Sequence, residues 1–105
     1  MNIRMIVSDI DGTLIPGGGT LSEYTKRVLK ACEEKGVHVV LASGRTFYGA
    51  RGVSLEAGLR GPVISANGGR ADASPEGGVI FEDTLDSEIS LRIYRALRDA
   101  GCFMT

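Results

Sequence analysis

Short apolar runs alternate with amphipathic stretches along the first two thirds of this chain. The runs at residues 3–8, 37–42 and 62–66 are mostly apolar and predict buried strands. Between the first two runs, an amphipathic pattern predicts a helix that begins after Ser22 and ends at Gly36. With a helix also between the second and third runs, this order predicts an α/β fold with a parallel sheet.

The remaining segments carry weaker signals. The second helix is predicted after the loop at residues 43–46 and extends to about residue 59, although its two interior glycines each cost up to about 1 kcal/mol relative to alanine. Residues 70–83 predict a β-hairpin, because a turn rich in Pro and Gly separates two short extended runs. A last helix is predicted to begin near Asp86 and to end at Gly101, and residues 102–105 then look like the start of a strand.

Composition and charge exclude several classes of protein. The 105 residues are 43% hydrophobic and 24% charged, which is typical of one globular domain. Twelve basic and thirteen acidic residues give a net charge of −1, which does not fit a nucleic-acid-binding protein. No apolar run reaches the roughly 18 residues of a membrane span, and no signal peptide is expected. Cys32 and Cys102 form no disulfide framework, so we expect a cytoplasmic protein.

The candidate chemistry lies where the three strands end. In a parallel sheet the ligand crevice lies beyond the carboxyl ends of the strands, so polar residues at these positions are expected to meet. Polar clusters follow the first, second and third strands at residues 9–13, 43–45 and 67–69. We therefore expect one binding site, built from three separate segments, at a single edge of the sheet.

Two carboxylates, Asp9 and Asp11, stand on either side of one residue at the end of the first strand. One interpretation is a turn in which the aspartates cap free backbone N–H groups. The other is a Mg²⁺ site, because two close anions repel and a hard divalent cation relieves that repulsion. A calcium loop of the EF-hand type is excluded, since Gly12 stands fourth rather than sixth and Thr20 replaces the final glutamate.

The other polar positions also have structural alternatives. Ser43 fits a helix cap, and Arg45 fits a solvated surface cation. Asn67 before a glycine is typical of any tight turn. His38 has no catalytic partner at a suitable spacing, so we interpret it as an ordinary sheet residue.

Three motifs in this order resemble one enzyme family. The sequence DIDGTL at residues 9–14 looks like the first signature of the haloacid dehalogenase-like hydrolases. The sequence LASGR at residues 41–45 resembles their second signature. The sequence ISANGG at residues 64–69, followed by a hairpin, is similar to the Cof-type branch of sugar-phosphate phosphatases. The resemblance extends over essentially the whole chain.

The resemblance implies a phosphatase that acts on a small phosphorylated metabolite. Asp9 would be the nucleophile that forms an aspartyl-phosphate, and Asp11 would be the general acid and base. Mg²⁺ would be bound by Asp9 and Asp11, the latter through its backbone carbonyl in the family. Ser43 would hydrogen-bond a phosphoryl oxygen. The other residues implied to bind phosphate or to shape its site are Gly12, Thr13, Gly44, Arg45 and Asn67.

The chain departs from the family in its length. Members of this branch insert a cap domain after the hairpin and then resume the core with a Lys and further Asp residues. The resemblance therefore implies an amino-terminal half. Residues 1–84 would be a partial Rossmann-like core with the hairpin, and residues 85–105 would begin a truncated cap domain.

Two structural consequences and two functions are expected. The first strand would lie at an open edge of the sheet, and the apolar face of the last helix, with Ile89, Ile93 and Leu97, would be uncovered. One function is a magnesium-dependent phosphatase, present as an incomplete chain. The alternative is a non-catalytic remnant that binds phosphate or a partner and forms a homo-oligomer through its open edge.

Overall fold

The predicted alternation of strands and helices is present in the computed structural model, which describes residues 2–102. The elements in chain order are β1 (Met5–Ser8), α1 (Glu23–Glu34), β2 (His38–Ala42), α2 (Phe47–Glu56), β3 (Val63–Ser65), β4 (Arg70–Ser74), β5 (Gly77–Glu82) and α3 (Ser87–Asp99). A single turn of 3₁₀ helix, Ala66–Gly68, joins β3 to β4.

All five strands form one sheet in the order β1-β2-β3-β4-β5. The pairs β1·β2 and β2·β3 are parallel, whereas β4 and β5 form an antiparallel hairpin that extends the sheet beyond β3. The predicted α/β fold class, with three parallel strands and a hairpin, is therefore confirmed. His38 stands in β2 with an exposed side chain, as an ordinary sheet residue.

Side-chain oxygens that accept hydrogen bonds from backbone N–H groups define where the first two helices begin. Ser22 Oγ accepts from Thr25 N at the start of α1 (3.1 Å). Thr46 Oγ1 accepts from Gly49 N at the start of α2 (3.4 Å). Each cap satisfies a backbone donor that has no partner inside the helix, so the chain turns into each helix at a defined residue.

The hydrophobic core lies between the parallel strands and the first two helices. Its buried side chains come from the strands (Val39, Leu41, Val63), from the helices (Leu29, Ala50, Val53) and from the connecting loops (Ile10, Leu21, Ala57, Leu59). Cys32 packs against this cluster, as its position on the apolar face of α1 predicts. The core therefore holds together the three strand ends at which the polar clusters stand.

The β1 edge of the sheet is open, as predicted, and β5 forms the other edge among residues 2–102. Strand β1 pairs only with β2, and its outer backbone groups face no other strand among residues 2–102. The side chains of Met5 and Val7 are 55% and 56% exposed. An edge of this kind, apolar and short of charge, is a surface on which another strand can pair.

The last helix packs against nothing in the described part of the chain. Asp86 Oδ1 caps it by accepting from Glu88 N (2.9 Å), yet every side chain of α3 is exposed. The predicted uncovered face is present, with Ile89, Ile93 and Leu97 all exposed. Cys102 lies outside any strand, and residues 103–105 of the strand predicted there lie outside the described residues.

No helix within residues 2–102 is both long enough and apolar enough to cross a membrane.

A close backbone approach joins α1 to the loop before β3. The Glu33 carboxylate accepts hydrogen bonds from Arg60 N (3.1 Å) and from Gly61 N (3.1 Å). A Cβ at Gly61 would overlap the carbonyl oxygen of Val39 in β2. Only glycine therefore fits where this loop enters the sheet.

We predict that Gly61→Ala lowers the free energy of unfolding by about 1–3 kcal/mol, because the added methyl group must push β2 and the loop apart. Urea unfolding followed by circular dichroism measures the change. Gly52→Ala is the matched control, since a Cβ at this exposed position in α2 meets nothing within 4 Å. The control should leave stability unchanged or raise it by up to about 1 kcal/mol. Equal stability of the two variants would contradict the steric argument.

Candidate active site

The ends of the three parallel strands form one crevice. Asp9 follows β1, Ser43 follows β2, and the turn Ala66–Gly68 follows β3. A cavity of about 340 Å³ opens at this edge, and its lining residues are Asp9, Ala42, Ser43, Gly44, Ile64, Asn67 and Gly68. The structure therefore brings together residues from all three polar clusters of the sequence.

The loop after β1 is built around a buried isoleucine. The side chain of Ile10 is fully buried, whereas Asp9 and Asp11 on either side of it are exposed. Gly12 has a φ of +79°, a left-handed conformation that favours glycine, and its N–H donates to Ile15 O (2.8 Å). The tight loop thus holds both carboxylates outside the core.

Asp9 has one hydrogen-bond partner in this loop. Thr13 Oγ1 donates to Asp9 Oδ2 (3.1 Å), which restricts rotation of the carboxylate. The other oxygen, Oδ1, accepts no hydrogen bond from residues 2–102. Asp9 also lines the cavity, so a carboxylate oxygen is available to a ligand that enters it.

Asp11 is held by Arg45 in a two-point ion pair. Arg45 Nε donates to Asp11 Oδ2 (2.8 Å), and Arg45 Nη2 donates to Asp11 Oδ1 (2.6 Å). These hydrogen bonds, together with the positive charge of the guanidinium, lower the pKa of Asp11 below its ordinary value. Arg45 thus lies at the surface with its charge paired to Asp11.

Ser43 is buried beneath the turn that leads to Arg45. Its Oγ accepts a hydrogen bond from Arg45 N (3.1 Å), and Thr46 is the residue that caps α2. The interpretation of Ser43 as a helix cap is therefore wrong, because α2 begins at Phe47 and Thr46 is its cap. With the acceptor side of Oγ occupied by Arg45 N, the hydroxyl proton remains to donate to a ligand in the cavity.

Asn67 adopts a left-handed conformation in the turn after β3, with a φ of 53°. Its N–H donates to Ser43 O (3.2 Å), and Ala66 N donates to Arg45 O (2.8 Å), so two backbone hydrogen bonds join this turn to the loop after β2. A Cβ at Gly44 would lie 2.8 Å from Asn67 Oδ1. Gly44 therefore lets the Asn67 amide lie across the loop.

The donor set at this edge fits a magnesium ion only in part. Mg²⁺ commonly takes one or two protein carboxylates and fills its remaining positions with water and phosphate oxygens. Asp9 offers such a carboxylate, whereas both carboxylate oxygens of Asp11 are occupied by Arg45. Within residues 2–102 no group of three or more His, Cys, Asp or Glu side chains is placed to hold a metal ion.

A comparison against protein families gives a match over nearly the whole chain. The haloacid dehalogenase-like hydrolase family matches residues 6–105. The chain therefore belongs to the haloacid dehalogenase-like hydrolases, and the family resemblance noted in the sequence is confirmed.

Individual relatives and solved structures support the same assignment. A Haemophilus influenzae protein, provisionally named a phosphatase, is 32% identical over 99 residues, which are 93% of this chain and 36% of that protein. The 5-amino-6-(5-phospho-D-ribitylamino)uracil phosphatase of Bacillus subtilis is 34% identical over 68 residues, 65% of this chain and 27% of that protein. The crystal structure of a haloacid dehalogenase-like hydrolase from Bacteroides thetaiotaomicron matches with a TM-score of 0.85 and 30% identity, covering 93% of this chain and 38% of that one.

The chain thus spans about a third of the length of the relatives that it matches, from 27% to 38% in these three. The expectation that the chain matches only part of a family member is therefore confirmed.

We predict that Arg45→Ala raises the pKa of Asp11 toward its ordinary value, because the two hydrogen bonds that favour the carboxylate are lost. A carbon-detected NMR titration of the Asp11 carboxyl group measures this. In the unmodified chain the ion pair stabilises the fold above the ordinary pKa of the carboxyl, and this contribution is lost as the pH falls through the lowered pKa.

The control for this titration is Arg60→Ala. The Arg60 guanidinium takes part in none of the ion pairs found within residues 2–102. This variant should leave the Asp11 titration unchanged. An Asp11 pKa that does not move in Arg45→Ala would show that the ion pair does not persist in solution.

Proposed function

We propose that this chain supplies the nucleophile and the phosphate-binding loops of a magnesium-dependent phosphatase that hydrolyses a small sugar phosphate or a similar ester. The observation that carries the proposal is the meeting of Asp9, Ser43 and Asn67 around one cavity at the ends of the parallel strands. A carboxylate, a hydroxyl donor and an amide around a cavity of this size fit a phosphoryl group and part of its ester.

Asp9 is the proposed nucleophile. Its free carboxylate oxygen attacks phosphorus as the bond to the leaving oxygen breaks, so that an aspartyl-phosphate forms. Thr13 holds the other carboxylate oxygen and restricts the direction of attack. Ser43 and backbone N–H groups of the loops after β1 and β2 donate hydrogen bonds to the phosphoryl oxygens. These hydrogen bonds stabilise the negative charge on those oxygens.

Asp11 is the proposed general acid and base. As an acid it donates a proton to the leaving alkoxide, and as a base it then takes one from the water that hydrolyses the aspartyl-phosphate. The ion pair with Arg45 favours the carboxylate and therefore the base role. For the acid role Arg45 has to release Asp11, and a phosphate dianion in the crevice is a competing partner for the guanidinium.

Asp9 and Asp11 are the residues proposed to hold Mg²⁺. When bound, the ion allows the anionic carboxylate of Asp9 to approach an anionic phosphate and activates the phosphoryl group for attack. The family is generally magnesium-dependent, which supports this assignment. The chain's own contribution is to present the Asp9 carboxylate in a rigid loop beside the phosphate-binding hydroxyl of Ser43.

The remaining parts of a complete phosphatase are proposed to lie beyond the aligned third of the relatives. A Lys and further acidic residues are implied there by the family, and residues 85–105 are proposed to begin a cap domain that selects the substrate. The uncovered apolar face of α3 supports this division, because such a face requires a partner surface. The free thiols of Cys32 and Cys102 support a cytoplasmic setting.

We predict that the 105-residue chain alone hydrolyses p-nitrophenyl phosphate with Mg²⁺ at least about 100-fold more slowly than a full-length relative. The physical reason is the loss of the cationic and acidic groups that the rest of the family core contributes. Release of p-nitrophenolate, followed by absorbance, measures the rate, and Asp9→Asn measures the background. Magnesium-dependent turnover of 1 s⁻¹ or faster would contradict this prediction if the Asp9→Asn substitution abolished it.

A second function has its own supporting observation in the open edge of β1. The exposed side chains of Met5 and Val7 and the unpaired backbone of β1 offer a surface for a second copy of the chain. In this alternative the chain is a non-catalytic module that binds phosphate in its crevice and self-associates through the sheet edge. Antiparallel pairing of two β1 strands would extend the sheet across the dimer.

We predict that the chain forms a dimer or larger oligomer at micromolar concentration, and that Val7→Lys shifts it toward the monomer. A lysine at the edge places a charge that opposes pairing with a second strand. Sedimentation velocity measures the distribution of species. Tyr24→Lys is the matched control, because Tyr24 is an exposed apolar side chain on α1, away from the sheet edge. A monodisperse monomer of the unmodified chain would contradict the edge argument.

A further inference from the structure

Two backbone hydrogen bonds hold the loop after β2 against the turn after β3, at the wall of the crevice. Asn67 N donates to Ser43 O (3.2 Å), and Ala66 N donates to Arg45 O (2.8 Å). The first of these distances is at the long end of the usual range for an N–H···O hydrogen bond. The spacing between Ser43 and Asn67, which both line the crevice, therefore depends on what else joins the two segments.

The side chain of Arg70 forms a third connection between the same two segments. Arg70 is the first residue of β4, the strand that leaves the turn after β3. Its guanidinium lies over the ring of Phe47, 4.5 Å from the ring centroid. Phe47 is the first residue of α2 and directly follows the cap, Thr46. Arg70 thus links the strand that follows the turn to the helix that follows the loop.

A buried carboxylate fixes the orientation of this guanidinium. Arg70 Nε and Nη2 donate to the two carboxylate oxygens of Asp72 (2.8 and 2.9 Å), and Asp72 is fully buried. Removing the partner of a buried charge is strongly destabilising, so the pair holds Arg70 in one place. A planar guanidinium can form this two-point pair and stack on a ring at the same time, which a lysine ammonium cannot do.

The neighbouring side chain at the end of β3 makes no such connection. Ser65 lies in register with Arg70 and is fully buried, and its Oγ has no hydrogen-bond partner within residues 2–102. Neither Phe47 nor Arg70 lines the crevice. Any effect of Arg70 on a molecule in the crevice must therefore pass through the two segments that it joins.

We propose that Arg70 is a positioning residue for the walls of the crevice. By holding Phe47 it fixes the start of α2, and with it the loop that carries Ser43, against the turn that carries Asn67. The inference rests on the proposed function, because the groups that Arg70 positions are those assigned to the phosphoryl group. Small displacements of such groups weaken the hydrogen bonds that they donate, so the contact with Phe47 contributes to phosphate binding at a distance.

Phe47→Leu tests the contact, because it removes the ring under the guanidinium and leaves both hydrogen bonds from Arg70 to Asp72 in place. Phe47→Tyr is the conservative variant, since it keeps an aromatic ring for the cation. Arg51→Met is the matched control. Arg51 Nε donates to Pro75 O (2.6 Å), so this arginine also joins α2 to the hairpin, but at the end of β4 that is remote from the crevice.

The first readout is amide hydrogen exchange of the ¹⁵N-labelled 105-residue chain, followed by NMR. In Phe47→Leu the amides of Ala66 and Asn67 should exchange about threefold to tenfold faster relative to Val37, at the opposite end of the parallel strands. Phe47→Tyr and Arg51→Met should leave this ratio unchanged. A general loss of stability accelerates exchange in all three amides, so the ratio separates positioning from stability.

The second readout is the binding of inorganic phosphate, measured from the amide shifts of residues 43–45 and 67–68. Phe47→Leu should weaken phosphate binding about threefold or more, because the donors no longer converge on one position. Phe47→Tyr should restore the affinity of the unmodified chain, and Arg51→Met should not change it.

The two readouts distinguish this inference from the proposed function. An exchange ratio that does not change in Phe47→Leu would overturn the positioning role, and so would an equal change in Arg51→Met. Phosphate binding that is equal in Phe47→Leu and in the unmodified chain would also overturn it. If the unmodified chain binds no phosphate while the exchange ratio rises in Phe47→Leu, the proposed phosphate site fails and the positioning of the crevice walls by Arg70 is supported.

Discussion

The burial of one side chain, Ile10, determines where the two candidate catalytic carboxylates lie. Ile10 belongs to the core, and no part of it reaches solvent. Because its neighbours in the chain are Asp9 and Asp11, fixing Ile10 in the core forces both carboxylates outward at the end of β1. The left-handed Gly12 then closes the loop. The site thus takes its rigidity from apolar packing, which resists displacement better than the exposed polar contacts around it.

The ion pair between Arg45 and Asp11 is an exposed polar contact, unlike the buried apolar packing of Ile10. Both side chains are accessible to solvent, and solvent screens the pair, so it contributes less to stability than its two-point geometry alone suggests. An interaction of this strength can be exchanged for another without unfolding the loop. A phosphate dianion also presents two oxygens to which a guanidinium can donate side by side, so it can replace Asp11 as the partner of Arg45, which is the exchange that the proposed acid role of Asp11 requires.

The order of strands and helices and the edge at which polar residues meet could be predicted from the sequence, because both follow from local periodicity and from the geometry of parallel strands. The partner of Arg45 could not be predicted, since Asp11 lies 34 residues away and the two side chains meet only after folding. Sequence spacing also carried no sign of the unpartnered Ser65 hydroxyl. Its state depends on the residues that pack around it from β4 and α2. The left-handed conformation of Ala66, with a φ of 50°, could not be predicted either, because alanine rarely adopts this conformation.

The contact between Gly44 and Asn67 makes the width of the crevice depend on one missing carbon atom. The Asn67 amide lies where a methyl group at residue 44 would stand, and two backbone hydrogen bonds tie the turn that carries it to the loop after β2. Neither side can move outward without breaking those hydrogen bonds. The backbone spacing between the two loops therefore sets the opening of the crevice. A side chain at residue 44 would displace the Asn67 amide, which lines the crevice, and would thereby change both the size of the opening and one of the groups that a bound molecule meets.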